Sequence, residues 1–191
     1  MKSLYLKGEW SDATGASIAT LDPATGRVIG DVSSASQKEV DDAVSSARTA
    51  FEKADWRGML PRDRAALLFA LADAIEANAT ELAEVETRDQ GQLLAISRSV
   101  SVQGAADHFR YYAGWVTKIQ GTVNPVSFPD TLQYTKRERI GVNALVTPWN
   151  FPLMILAWKL APALATGNTV LIKPSEVSPL SSVPPVQFAQ H

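Results

Sequence analysis

The sequence predicts an α/β fold in which amphipathic helices lead into the start of a parallel sheet. Between residues 36 and 118, apolar side chains recur at steps of three and four residues, the spacing of one face of a helix. Residues 141–173 then give a short β-branched run, a longer apolar segment and a second β-branched run. That order is typical of a strand, a crossover helix and a parallel strand, and such crossovers are right-handed.

The first third of the chain predicts short strands followed by a helix. Turn residues punctuate residues 1–33, and residues 27–32 are predicted as a strand. Ser36 and Glu39 form a capping box that begins the first helix. The apolar face of this helix comprises Val40, Ala43, Val44, Ala47, Ala50 and Phe51.

Three more helices follow in the sequence pattern. The second starts near Pro61, the third covers roughly residues 80–89 before Gly91 stops it, and the fourth spans residues 99–118. The second helix has one apolar face, made of Leu67, Leu68, Leu71 and Ile75. The fourth ends in an aromatic group predicted to lie in the core, namely Phe109, Tyr111, Tyr112 and Trp115.

The next segment predicts a loop and an exposed arm. Residues 119–130 contain glycine and prolines, and residues 131–140 are predicted as an exposed strand or hairpin arm. The charges at residues 136–139 favour a solvated strand edge that resists pairing with other edges. A nucleic-acid patch is less consistent with this run, because it is short and mixed in sign.

Composition excludes several classes of protein. The 191 residues include 46% hydrophobic and 20% charged residues, which is typical of a globular chain, and the net charge of −2 argues against nucleic acid as a partner. No apolar run approaches the length of a membrane span, and the N-terminal segment lacks a signal-peptide core, so we expect no membrane partner and a cytoplasmic location. With no cysteine and two histidines, the sequence predicts neither a disulfide nor a metal site.

The strand–helix–strand segment carries polar residues where its strands end. Pro148 ends the first strand, and the second runs over residues 169–173. Asn150 is a favourable helix N-cap, with Pro152 in the first turn, and Gly167 supplies the C-terminal cap.

Ligands of such sheets bind beyond the carboxyl ends of the strands, so two interpretations stand side by side. Asn150 is either only a cap or a donor to an oxyanion. Lys173 is either a charged strand end or, with Glu176, holds the hydroxyls of a ribose. The G-x-G-x-x-G fingerprint of dinucleotide-binding proteins is absent from the sequence.

At these residues the sequence strongly resembles the NAD(P)-dependent aldehyde dehydrogenase superfamily, and specifically its N-terminal part. The resemblance rests on TPWNFPLMILAWKLAPALATGNTVLIKPSE and on the upstream stretches DPATGRVIGDV and YYAGWVTKIQG. It implies an aldehyde-dehydrogenase-like fold, with N-terminal helices and the incomplete start of a Rossmann-like parallel sheet. It also implies NAD as cofactor, with NADP possible, a small aldehyde as substrate, and a homo-oligomer in the intact family.

The resemblance further implies roles for individual residues. Asn150 matches the asparagine that donates its amide to the oxyanion, and Lys159 matches a lysine implicated in proton relay. Lys173 and Glu176 match the residues that bind the adenosine ribose. The cofactor cleft is lined by Thr147, Pro148 and Trp149.

The sequence also departs from the family pattern. The nucleophilic cysteine and the general-base glutamate would lie downstream, and Pro184-Pro185 cannot continue the helix that the family has after Ser182. The domain organisation that follows has four parts: residues 1–118 as strands and helices of the cofactor-binding domain, 119–140 as a loop and arm of oligomerisation type, 141–182 as the start of the nucleotide-binding sheet, and 183–191 as a non-family tail.

Three functions remain open from sequence. The first is a truncated aldehyde dehydrogenase that is inactive alone, so that whether this chain is itself an enzyme stays uncertain. The second is a non-catalytic interaction module that binds a full-length dehydrogenase. The third is a nucleotide-binding domain without a partner. The sequence does not identify the aldehyde.

Overall fold

The computed structural model describes residues 4–183, which fold into helices joined to four small two-stranded sheets. The strands are β1 Leu4–Leu6, β2 Glu9–Ser11, β3 Ser17–Leu21, β4 Val28–Ser33, β5 Val123–Asn124, β6 Gln133–Tyr134, β7 Val142–Val146 and β8 Thr169–Lys173. The α-helices are α1 Gln37–Glu52, α2 Ala54–Gly58, α3 Pro61–Ala77, α4 Ala79–Gln90, α5 Leu94–Ile96, α6 Gln103–Trp115 and α7 Pro152–Ala165. A π-helical stretch, Ser97–Val102, joins α5 to α6, and 3₁₀ turns occupy Val116–Lys118 and Leu180–Ser182.

The core lies where α3, α4, α6 and α7 pack together. Phe109 of α6, Ile75 of α3 and Leu153 of α7 are its largest fully buried apolar side chains. Alanines fill the helix contacts, which lets the helix axes approach closely. The fully or almost fully buried alanines among the described residues are Ala72, Ala83, Ala105, Ala106, Ala113, Ala157, Ala161 and Ala165.

The predicted βαβ unit is present at residues 141–173. β7 and β8 pair in parallel, with Val142 opposite Thr169 and Val146 opposite Lys173, and α7 connects them. α1 covers part of this pair, since the Thr169 hydroxyl donates to the Ala47 carbonyl oxygen over 2.9 Å. The α/β fold predicted from sequence is confirmed.

A buried asparagine ties the entry of β7 to the exit of α7. The Oδ1 atom of Asn168 accepts hydrogen bonds from the backbone N–H groups of Ile140 at 2.8 Å and Gly141 at 2.9 Å. Its Nδ2 atom donates to the Thr166 hydroxyl over 2.8 Å. The predicted C-terminal cap is also present, with Gly167 in the left-handed region at φ +79°.

The starts and stops of the first three long helices agree with the sequence pattern. The capping box of α1 forms, and the Ser36 N–H donates to Glu39 Oε2 over 2.7 Å. Pro61 occupies the first turn of α3, and Gly91 ends α4 with φ +81°. The fourth helical segment begins at Leu94 instead of residue 99, because α5 and the π-helical stretch precede α6.

The expected apolar faces of the helices are only partly covered. In α1, Ala47 and Phe51 are buried whereas Val40 and Val44 are exposed, and in α3 Leu67 is exposed. Helical spacing places side chains on one face but does not say how far along the helix a neighbour reaches.

The predicted core position of the α6 aromatic group is right for two of its four members. Phe109 is buried and half-buried Tyr112 packs against the core, whereas Tyr111 and Trp115 are exposed. The arm of residues 131–140 is largely irregular, with strand pairing only between β5 and β6. No helix within residues 4–183 combines the length and apolarity that a bilayer crossing requires.

Candidate functional site

Parallel pairing brings the ends of β7 and β8 side by side. The Thr147 N–H extends the ladder by donating to the Lys173 carbonyl oxygen over 3.0 Å. Beyond the strands, the Ser178 hydroxyl donates to the Trp149 carbonyl oxygen over 3.1 Å. The loops of residues 147–151 and 174–178 therefore form one rim, which we call the strand-end crevice.

Asn150 lies exposed on this rim and does not cap α7. Phe151 is the N-cap, with φ +49° and ψ +48°, and the helix begins at Pro152. Among the described residues, the Asn150 carboxamide has no hydrogen-bond partner. The prediction of a capping role is therefore wrong, because the left-handed backbone of Phe151 occupies the position that an asparagine cap would take.

The backbone of Phe151 is strained. A bulky residue in the left-handed region costs about 1–3 kcal/mol and persists only where surrounding structure enforces it. Here Phe151 is half-buried and Pro152 is buried. The packing of these neighbours therefore holds the short turn that carries Asn150. Sequence reasoning missed this feature, since a phenylalanine before proline favours extended backbone.

Lys173 and Glu176 form an ion pair at the end of β8. Their charged groups are in direct contact, and the side chains are 54% and 60% exposed. The hydrogen bond from Lys173 lowers the pKa of Glu176 below its usual range. Because both groups are well solvated, the pair contributes little to stability and is free to exchange its partner for a ligand.

The other predicted crevice residues differ in burial. Thr147 is buried and its Oγ1 has no partner within the described chain, whereas Pro148 is half-buried and Trp149 is exposed. Lys159, on α7, donates from Nζ to the Val146 carbonyl oxygen. Its ammonium thus lies against the carboxyl end of β7.

Two buried carboxylates beneath the crevice were missed from sequence. Asp89 accepts hydrogen bonds from the Ser181 N–H and hydroxyl, both at 2.8 Å, which ties α4 to the turn after β8. Burial raises the pKa of Asp89, and the bonds from Ser181 oppose this increase. Glu86 is completely buried, and in the described residues neither of its oxygens has a well-formed hydrogen bond.

Burial raises the pKa of Glu86 to about 7. The Ser101 hydroxyl and the Leu153 N–H, in the first turn of α7, act in the opposite direction, and the neighbouring Asp89 raises the pKa further. A signal was present in the sequence, because Glu86 and Asp89 follow Leu82 at steps of four and seven along the buried face of α4. Among residues 4–183, no group of three potential ligands is placed to hold a metal ion.

Comparison with known proteins decides the family. The model of the aldehyde dehydrogenase family matches residues 10–191. The chain belongs to the aldehyde dehydrogenase family. This match also includes residues 183–191, which the sequence pattern sets apart as a non-family tail and which, from residue 184, lie outside the described residues.

Individual relatives show how much of their length the chain covers. It is 43% identical over 183 residues to the DhaS protein of Bacillus subtilis (strain 168), covering 95% of this chain and 37% of DhaS. It is 43% identical to the cytosolic 10-formyltetrahydrofolate dehydrogenase of Xenopus tropicalis, covering 94% of this chain and 20% of that protein. The solved NAD⁺ complex of the Bacillus cereus aldehyde dehydrogenase superimposes with a TM-score of 0.95 at 39% identity, covering 98% of this chain and 38% of that enzyme.

These values confirm the predicted fold class and the resemblance to the N-terminal part of the family. The chain spans less than two fifths of the length of these relatives.

Replacing Glu86 by glutamine should change how stability depends on pH. The pKa is about 7 in the folded chain and near 4.5 in the unfolded chain, so the folded state holds the extra proton between these values. Stability that is present below pH 4.5 is therefore lost as pH rises through 7, by roughly 3 kcal/mol in total. Glu86→Gln should remove this loss, measured as the free energy of unfolding in urea between pH 5 and 8.

The matched control is Glu84→Gln, which changes an exposed carboxylate on the same helix. It should leave the pH profile of the wild-type chain intact. If the free energy of unfolding depends on pH in the same way in the wild-type chain and in Glu86→Gln, the assignment of the titration to Glu86 is contradicted.

Proposed function

We propose that this chain supplies the oxyanion-binding and ribose-binding part of an NAD-dependent aldehyde-oxidising site, and that it does not oxidise aldehydes alone. The observation that carries the proposal is the strand-end crevice, where an amide without a partner in residues 4–183 and a solvated pair of opposite charges lie on adjoining loops. The family membership supports the reaction type. The NAD⁺ complex of the B. cereus relative supports the cofactor.

In this proposal, Asn150 binds the carbonyl oxygen of the aldehyde. Its amide N–H groups are unpartnered in the described chain and are therefore available to an oxygen that gains negative charge. The strained Phe151 and the buried Pro152 keep the turn in place, so the donor needs little reorganisation when charge develops.

Lys173 and Glu176 fit the ribose end of NAD. A carboxylate accepts hydrogen bonds from vicinal hydroxyls and an ammonium donates to them, so the two groups replace their mutual contact by contacts to the sugar. Their exposure leaves this exchange sterically open. NAD, when bound, would accept the hydride from the substrate carbon.

The remaining crevice residues have supporting roles in the proposal. Exposed Trp149 and half-buried Pro148 would border the cofactor. The hydroxyl of buried Thr147, which has no partner within the described chain, would offer a polar contact. Lys159 would hold a proton at Nζ for relay. Its present bond to the Val146 carbonyl fixes where that proton is kept.

The chain has no cysteine, so it cannot supply the thiolate that the family mechanism requires. An aldehyde bound in the crevice would meet an oxyanion donor without a nucleophile. This absence is the reason for proposing that the 191-residue chain is inactive alone.

A second candidate function is a non-catalytic module that binds a full-length dehydrogenase. The loop and arm of residues 119–140 favour it, because five large apolar side chains there are between 64% and 86% exposed. They are Val123, Phe128, Leu132, Tyr134 and Ile140. Such a surface is typical of one that another protein covers.

The purified chain should form no NADH from a panel of aromatic, short-chain and amino aldehydes. The measurement is absorbance at the NADH maximum, with a longer member of the family assayed beside it. Turnover that follows this chain through a second purification step would contradict the proposal. Tight association with the longer protein, without turnover, would favour the module instead.

Asn150→Ala should lower turnover by roughly two to three orders of magnitude in a longer family member that carries the same TPWNF stretch, the typical cost of one oxyanion donor. Binding of NAD, measured by fluorescence titration, should change little, because the amide faces the substrate. Unchanged turnover with weakened NAD binding would instead assign Asn150 to the cofactor.

Glu176→Gln should raise the efficiency with NADP relative to NAD in a longer member with the same KPSE stretch. The carboxylate accepts from the 2′-hydroxyl of NAD and repels the 2′-phosphate of NADP. The measurement is kcat/KM with each cofactor. Lys173→Met serves as the comparison, since loss of the ammonium should weaken both cofactors. If Glu176→Gln leaves the ratio of kcat/KM with NADP to kcat/KM with NAD unchanged, another residue selects the cofactor.

A further inference from the structure

Three arginines from separate elements converge where the chain enters β7, away from the carboxyl ends of the strands. Arg48 lies on α1, Arg64 on α3, and Arg139 two residues before Gly141. The guanidinium carbons of Arg139 and Arg48 lie 4.4 and 5.7 Å from the centre of the Phe51 ring.

Two glycines leave room for these side chains. A Cβ atom at Gly141 would lie 3.1 Å from Nη1 of Arg48. At Gly167 it would lie 2.6 Å from Nη1 of Arg64 and 2.8 Å from Cδ of Arg139. The arginines therefore occupy space that side chains would otherwise fill, and Arg64 and Arg139 come close to each other.

The cluster lacks a counter-charge in the described part of the chain. Within residues 4–183, none of the three arginines has a carboxylate within 4 Å. To the described residues, Arg139 donates only one long bond, of 3.5 Å, to the Phe51 carbonyl oxygen. The Nε atom of Arg64 is buried and has no partner in that part of the chain. Burial, and then the charge of Arg139, lower the pKa of Arg64.

Hydrogen bonding to the Pro162, Ala163 and Leu164 carbonyls of α7 does not account for the cluster, although cations favour helix C-termini. The Pro162, Ala163 and Leu164 carbonyls already accept backbone N–H groups. The Gly167 carbonyl accepts the indole N–H of Trp56 over 3.0 Å. These carbonyls are therefore satisfied without any arginine.

We propose that Arg48, Arg64 and Arg139 form a binding site for an oxyanion, either a phosphate or a carboxylate. Planar guanidinium groups bind both anions through paired N–H donors. Phe51 supports two of them from below, and the Trp56 ring lies 5.9 Å from the guanidinium carbon of Arg64. These ring contacts leave the edges of the guanidinium groups free to donate. The site is separate from the strand-end crevice and does not depend on the function proposed there.

The direct test is equilibrium dialysis of the purified chain against inorganic phosphate at low ionic strength. The wild-type chain should bind one phosphate saturably. Arg64→Gln and Arg139→Gln should each weaken binding at least tenfold. Arg62→Gln is the matched control, since Arg62 lies on the same helix, is exposed and already pairs with Asp63. It should change the affinity less than twofold.

Thermal unfolding gives a second test, in which Arg64→Gln should differ from the wild-type chain in its response to phosphate. In phosphate-free buffer, Arg64→Gln should be at least as stable as the wild-type chain, because it removes a repulsion. Adding phosphate should raise the unfolding midpoint of the wild-type chain and of Arg62→Gln, but not that of Arg64→Gln. Far-UV circular dichroism identifies a variant that has not folded, and Arg139→Gln then takes its place.

Competition identifies the source of the anion. The competitors are succinate and an acidic peptide with two adjacent glutamates. If the peptide displaces phosphate at a lower concentration than succinate does, the natural ligand is a carboxylate of a protein segment. Displacement of phosphate by succinate but not by the peptide would assign it to a free ion. The proposal is overturned if binding is not saturable, or if Arg62→Gln weakens it as much as Arg64→Gln does.

Discussion

The parallel pairing of β7 with β8 is the constraint on which the rest of this structure depends. Parallel strands need a long connection across one face of the sheet, and here α7 provides it. That helix is apolar around most of its surface, so it requires partners on several sides. α3 and α6 supply them, so these two helices bury part of the crossover.

The crevice is held by polar contacts that extend into the buried interior. Asp89 anchors the turn after β8 through Ser181, and Glu86 lies near the first turn of α7. Buried carboxylates are costly unless they are paired or protonated. Their presence beneath the crevice indicates that stability is lower there than an apolar core would give. The strain at Phe151 lies on the same side of the molecule and adds to that cost.

The sequence predicts the helices and strands better than it predicts which of their side chains are buried. Helix ends have local physical causes and could therefore be predicted, as at Ser36, Pro61, Gly91 and Gly167. The exposure of Val44 depends on which elements pack against α1, which no local pattern records.

The same distinction explains the candidate site. The strand ends could be located, and so could the residues that follow them. The exposed, uncapping position of Asn150 could not be predicted, because it depends on the left-handed backbone of the next residue. Glu86 was overlooked for a different reason. Its spacing from Leu82 places it on the buried face of α4, but glutamate side chains are ordinarily expected to be exposed to solvent.

The side chain of Asn168 has a consequence for the register of the sheet. Its Oδ1 atom binds the two N–H groups at the entry of β7, while its backbone directly precedes β8. Because side chains alternate along a strand, a slip by one residue would turn Leu145 away from the core and move the strand end by about 3.3 Å. The location of Asn150 is thus set in part by an amide at the opposite end of the strand, more than fifteen residues away along the chain.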